Sequence, residues 1–147
     1  MRTRIIFGLA IVLTALALVP AGAHLFALPN KIDLTQEDYY VAQSVYRGWA
    51  LFGVVLVSAL AVNIVLTILL QRQGMRSYLA SAAALCLGLT LVIFLAEIYP
   101  VNQVTHNWTV VPDNWAVLRL RWETAHAVNA ALTFLALCCA TAAALVK

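Results

Sequence analysis

The chain has 147 residues, 64% of them hydrophobic and 10% charged, which excludes a soluble globular domain, whose apolar fraction is about 45–50%. Nine basic and six acidic residues give a net charge of +3. That surplus follows from membrane topology, and no nucleic-acid partner is expected. The composition implies an all-α fold: an integral membrane up-down bundle of four helices, one transmembrane domain over residues 1–147, with both termini cytoplasmic.

The first span, Ile5 to Leu28, has the roughly 20 residues needed to cross a hydrocarbon core of about 30 Å. Arg2 and Arg4, an apolar stretch and Ala21-Gly22-Ala23 also outline a secretory signal cleaved after Ala23. Cleavage would leave His24 as an N-terminus able to bind copper through its amine and ring. Because the apolar stretch continues through Leu25, Phe26, Ala27 and Leu28, the helix is expected to be retained.

Arg47 stands just before the second span, Trp49 to Leu70. Ser58, Asn63 and Thr67 within it are too few to line a pore and suit hydrogen bonds between helices. Arg72 and Arg76 fill the short loop that follows. With Arg2, Arg4 and Lys147 they place five basic residues on the side of the termini and mark it as cytoplasmic. The third span, Tyr78 to Ile98, carries Cys86 and ends beside Glu97. The fourth, Ala125 to Val146 in a helix starting at about 122, carries Cys138 and Cys139. The cysteines have neither metal nor redox spacing and are expected to pack as small apolar groups.

All six acids, Asp33, Glu37, Asp38, Glu97, Asp113 and Glu123, fall on the opposite, outer side. So do all four tryptophans, an interfacial belt of Trp49, Trp108, Trp115 and Trp122. His24, near the end of the first span, and His126, near the start of the fourth, should lie at similar depth in the outer half. Ionisable groups at membrane depth are costly and usually face the bundle interior or a wet cavity. The candidate site is therefore here. Asn107-Trp108-Thr109, on the same side, fits a glycosylation acceptor.

Residues 119 to 129, RLRWETAHAVN, are the densest signal. Arg119, Glu123 and His126 follow i, i+4 and i+7 spacing, with Trp122 and Asn129 close to the same stripe. Glu123 can pair with Arg119 and orient His126. Glu-x-x-His is half of a di-iron motif, but the second copy is missing. Two histidines at matched depth admit a haem, with room supplied by Ala80, Ala82, Ala83, Ala84, Ala127, Ala130 and Ala131, unless these serve close helix packing. Copper or zinc would have to recruit Glu97, Glu123 or His106. No metal ligands are assigned and no cofactor is favoured.

Several segments together, Ala23-His24-Leu25 with Leu28-Pro29-Asn30-Lys31-Ile32, Tyr46-Arg47-Gly48-Trp49, Tyr99-Pro100-Val101-Asn102, and Asn107-Trp108 through Pro112-Asp113-Asn114-Trp115 to Trp122-Glu123 and His126, resemble the bacterial, domain-of-unknown-function branch of the anthrone oxygenase-like family. The resemblance implies a small four-helix membrane protein whose named relatives oxidise an anthrone to an anthraquinone without a metal or flavin. Such chemistry needs a base and groups that hold the resulting anion. It would cast His24 or His126 as the base, Arg47 or Arg119 as anion stabiliser and Glu123 as the residue fixing the histidine tautomer. Trp49, Trp115 or Trp122 would stack on a flat ring, with Glu97, Asn102, Trp108 and Asn129 completing the substrate site.

Three functions stay open on the sequence: an oxidoreductase or oxygenase-like enzyme for a lipophilic aromatic or quinone-like molecule at the outer leaflet, a haem- or copper-binding redox protein, and an accessory subunit of a larger membrane complex. Expected partners are membrane lipid, a lipophilic small molecule, and a membrane protein or further copies of the chain. A transporter is disfavoured, since no broken-helix pair or internal repeat is visible.

Overall fold

The structure is a computed structural model and describes residues 2–146. Lys147 and the Arg2 side chain, both counted above among the basic residues of one face, lie outside the described residues. No strand occurs among those described. Four helical stretches, Thr3–Lys31, Trp49–Leu69, Met75–Val104 and Trp115–Leu145, are long and apolar enough to cross a membrane.

Helix α1 (Arg2–Lys31) contains Pro20 and Pro29 without ending at either. A proline removes one amide donor, yet its fixed φ is itself helical, so a long apolar helix can run past it. The first span thus extends beyond Leu28, and Lys31 becomes part of the helix that carries His24, two turns further on.

Helix α2 (Gln36–Gln43) begins where Thr35 accepts a hydrogen bond from the Asp38 amide at 3.2 Å, and Glu37 and Asp38 occupy its first turn. Both features favour a helix start. Its inward face presents Tyr39 and Gln43, one turn apart and both buried. Two single 3-10 turns follow, Ser44–Tyr46 and Trp49–Leu51, separated by Gly48 at φ 86°. Only glycine takes that conformation without strain, and the reversal puts Tyr46, Arg47 and Trp49 side by side above α3 (Phe52–Leu69).

Helix α4 (Met75–Ile93) passes through a π-helical turn at Phe94–Ile98 into α5 (Tyr99–Val104), which has Pro100 in its first turn. Proline has no N–H for the carbonyl four residues before it. That carbonyl, on Ala96, instead accepts from Arg121 Nη2 at 2.8 Å. Between α5 and α6 (Trp115–Leu145) the backbone turns through three consecutive left-handed residues, His106, Asn107 and Trp108, at φ 47°, 55° and 64°. Thr105 supports the turn, its hydroxyl oxygen accepting from the Trp108 amide at 3.1 Å.

Helix α1 packs on α3 and α6, and α4 packs on the same two, closing a four-membered ring. One cluster gathers Phe7 and Ala10 of α1, Leu66 of α3, Leu70 just beyond it, Ala80 of α4 and Ala143 of α6. There Arg76 donates to the Ala143 carbonyl at 3.2 Å and lies over the Phe7 ring. The middle of the bundle buries Ala59, Ala83, Cys86, Leu87, Ala136 and Ala140. Fully buried alanines on facing helices let backbones approach closely, as lipid-embedded bundles require. The third cluster, Tyr39, Ile98, Val101, Trp108, Leu118, Trp122 and Ala125, closes the other end beneath α2 and the left-handed turn.

The outer surface is apolar: Phe26, Leu51, Val54, Leu85, Val92 and Phe134 are all exposed. Water would penalise so large an apolar exterior, whereas lipid does not. The four helices fit a multi-pass integral membrane protein.

Candidate functional site

A cavity of about 480 Å³ lies at the end of the bundle that carries α2 and the left-handed turn. Its walls come from α1, α2, the turns before α3, α3 itself, the last turn of α4, the π-helical turn, α5, the left-handed turn and α6. His24 and His126 meet in its lining, with rings stacked at 4.0 Å between centroids and 29° between planes. Trp122 stands edge-on to both, at 4.8 Å from His24 and 4.1 Å from His126. Tyr46 covers His24 at 4.1 Å and Trp49 approaches it at 6.0 Å. Trp122 is fixed by its indole N–H, which donates to Asn102 Oδ1 at 2.9 Å.

Behind Trp122 lies a buried polar cluster. Glu123 Oε1 receives the Tyr39 hydroxyl at 2.9 Å and the Gln43 amide at 3.4 Å, and it forms an ion pair with Lys31 Nζ at 2.8 Å. The Lys31 ammonium also sits 4.6 Å over the Tyr46 ring and 5.5 Å from that of Trp122, so aromatic faces replace part of its lost hydration. Burial, and then the Glu123 charge beside it, raise the Tyr39 phenol well above its ordinary range. It stays protonated and donates. Burial likewise raises Tyr40, whose hydroxyl donates to the Val110 carbonyl at 3.0 Å.

Of the residues singled out in the sequence, His24, His126, Arg47, Trp49, Asn102, Trp108, Trp122 and Asn129 line the cavity. Glu123 stands behind the wall. The expected Arg119–Glu123 pair does not form. Arg119 donates to the Leu34 carbonyl at 2.7 Å and stacks on Trp115 and Tyr39, while Lys31 takes the carboxylate. Trp115 packs on Tyr39 and Tyr40, away from the cavity. Glu97 points outward and pairs with Arg121 in an exposed contact. Sequence reasoning missed Lys31, Tyr39, Gln43 and Tyr46. Lys31 and Tyr46 stand in the segments that carry the resemblance but were given no role there, and the spacing of Lys31, seven from His24, counts only if the helix passes Pro29.

Five residues of the cavity wall hold a buried polar atom without a hydrogen-bond partner: His24 Nδ1, Gln43 Oε1, Trp108 Nε1, His126 Nε2 and Asn129 Oδ1. Buried polar groups are normally paired, so their concentration at one cavity marks a place where an occupant or ordered water supplies partners. The stacked histidines leave no gap for a porphyrin plane, whose two axial ligands must stand on opposite faces. Among the described residues no group of three or more His, Cys, Asp or Glu side chains is placed to hold a metal ion.

Comparison with known protein families, curated proteins and solved structures gave no match.

Proposed function

We propose that this membrane protein binds a flat, lipophilic aromatic or quinone-like molecule in the cavity and acts on it as a small oxidoreductase. The observation that carries the reading is the coincidence of an aromatic wall with unpartnered polar atoms on both stacked histidines. Tryptophan and tyrosine faces suit a planar apolar ring, and an imidazole within reach of a ring hydroxyl is a competent base. Removal of that proton makes a hydroquinone-type substrate electron-rich. Loss of the second proton and transfer of two electrons to dioxygen would then give the quinone and hydrogen peroxide. The resemblance to anthrone oxygenase-like proteins extends the proposal to phenolic tricyclic substrates.

On this reading the bundle runs up and down, both termini face the cytoplasm of a bacterial inner membrane, and the cavity opens toward the outer leaflet. Substrate would then arrive from lipid and not from the cytosol.

The test uses protein in mild detergent with menadione as binding probe and its hydroquinone as substrate. Saturable quenching of tryptophan fluorescence by menadione, and oxygen uptake above the autoxidation rate, are expected. His126→Ala should abolish the uptake while helicity is retained. Quenching that rises linearly without saturation, or uptake unchanged in His126→Ala, overturns the proposal.

A further inference from the structure

Arg47 is the one arginine or lysine among the described residues that line the cavity, and no carboxylate lines it. The nearby acids are withdrawn from it. Glu123 is sealed behind Trp122 and neutralised by Lys31, and Glu97 is engaged by Arg121 on the outer surface. Arg47 is exposed at the rim and forms no ion pair among the described residues.

Below the histidines the character changes. From His24 to Ala17 on α1 and from His126 to Thr133 on α6 the wall continues for two turns, about 10 Å. The floor is mainly apolar, with Ala17, Leu56 and Phe94, and its one amide is that of Asn129, a turn below His126. Its two hydroxyls are already spent, since Thr90 donates to the Cys86 carbonyl at 3.0 Å and Thr133 to the Asn129 carbonyl at 2.7 Å. The cavity thus has a single cation, Arg47, at its rim and is mainly apolar at depth.

We infer that the occupant is an aromatic acid, with a planar oxyanion head on Arg47 and an apolar ring system against Trp49 and Trp122. The inference rests on the reading of the cavity as an aromatic-ligand site and adds the charge of the ligand. A guanidinium presents two parallel N–H groups that match the two oxygens of a carboxylate. Uncompensated positive charge at the mouth of a low-dielectric cavity favours an anion over its neutral ester, although exposure of Arg47 limits the gain. A preference of roughly tenfold is expected, the size of one charge-assisted hydrogen bond.

The experiment titrates 2-naphthoate and methyl 2-naphthoate into the full chain in phosphatidylcholine nanodiscs, read by quenching of tryptophan fluorescence. Gly53→Leu serves as the blocked control, because Gly53 lines the cavity and a side chain there meets open space. The acid should bind about tenfold tighter than the ester, with the preference lost in Arg47→Gln and partly kept in Arg47→Lys. Equal binding of acid and ester, both blocked by Gly53→Leu, overturns the acidic ligand while leaving the aromatic site intact. Absence of saturable binding by either removes both readings. An acid preference that survives Arg47→Gln also overturns the inference. So does loss of naphthoate binding in nanodiscs containing phosphatidylglycerol, which would assign Arg47 to a lipid phosphate.

Discussion

Lys31 and Glu123, ninety-two positions apart in the chain, form an ion pair 2.8 Å long with side chains 6% and 0% exposed. It ties the last turn of α1 to the upper part of α6 directly behind Trp122. Removing one member of such a pair leaves a buried charge and costs about 3–5 kcal/mol. Lys31→Met should therefore lower stability by that order in detergent, read by thermal unfolding with circular dichroism. Glu123→Gln added to Lys31→Met removes the orphan charge yet keeps an oxygen for Tyr39 and Gln43. The double variant should recover most of the loss. A double variant as unstable as Lys31→Met would show that the pair's energy is not electrostatic.

Tyr39 links the same cluster to pH. Its folded-state value is raised by burial and by the Glu123 charge, while the unfolded chain titrates near 10.0. Below pH 10 both states hold the proton, so the stabilisation is fully present. As pH rises past 10 the unfolded state releases its proton first and gains, so stability falls with alkali. Far-UV circular dichroism should show earlier alkaline unfolding in the wild type than in Tyr39→Phe, once each curve is normalised to its value at pH 8. Parallel curves would mean that the phenol does not titrate on unfolding.

The shared depth of His24 and His126 was legible in the sequence because both lie at set distances from span ends, and a helix converts position into depth at 1.5 Å per residue, whereas their ring contact was not. Nor was the polar cluster behind them. Lys31 follows Pro29, which local rules treat as a stop, and only packing along α1 carries the helix through. Tyr39 and Gln43 sit on a short polar helix whose orientation is set by its partners and not by its own pattern. Glu123 has Arg119 four residues before it, the spacing that favours a local pair. Arg119 is drawn off by a backbone carbonyl and two aromatic rings, so a tertiary contact overrides the local one.

In the half of the bundle away from the cavity, Asn63 donates to Thr14 Oγ1 at 3.1 Å and to the Ala59 carbonyl at 2.8 Å, and its own Oδ1 has no partner. In a soluble core a buried group left unsatisfied costs about 1–3 kcal/mol. Hydrogen bonds between membrane helices average only about 0.6 kcal/mol. Asn63→Leu removes the bond together with its unpaired acceptor, so the smaller figure should hold. A loss well above about 1.7 kcal/mol, the largest such bond in that range, would assign Asn63 a larger part in holding α1 on α3.

The left-handed turn at His106–Trp108 makes the opposite prediction, a substitution that stabilises. A non-glycine residue in that region costs about 1–2 kcal/mol, whereas glycine gives back about 0.4–1 kcal/mol through a freer unfolded chain. His106 is exposed at φ 47° and has little packing to lose, so His106→Gly should gain a fraction of a kcal/mol up to about 1 kcal/mol. Trp108→Gly, at the same kind of backbone, should instead be strongly destabilising, because the indole is buried against Tyr39, Tyr40 and Trp122 and its removal empties a packed site at about 3–5 kcal/mol. Thermal unfolding of the two variants separates backbone strain from side-chain packing. A His106→Gly protein less stable than wild type would mean that the imidazole itself holds the turn, and that the rim of the cavity depends on it.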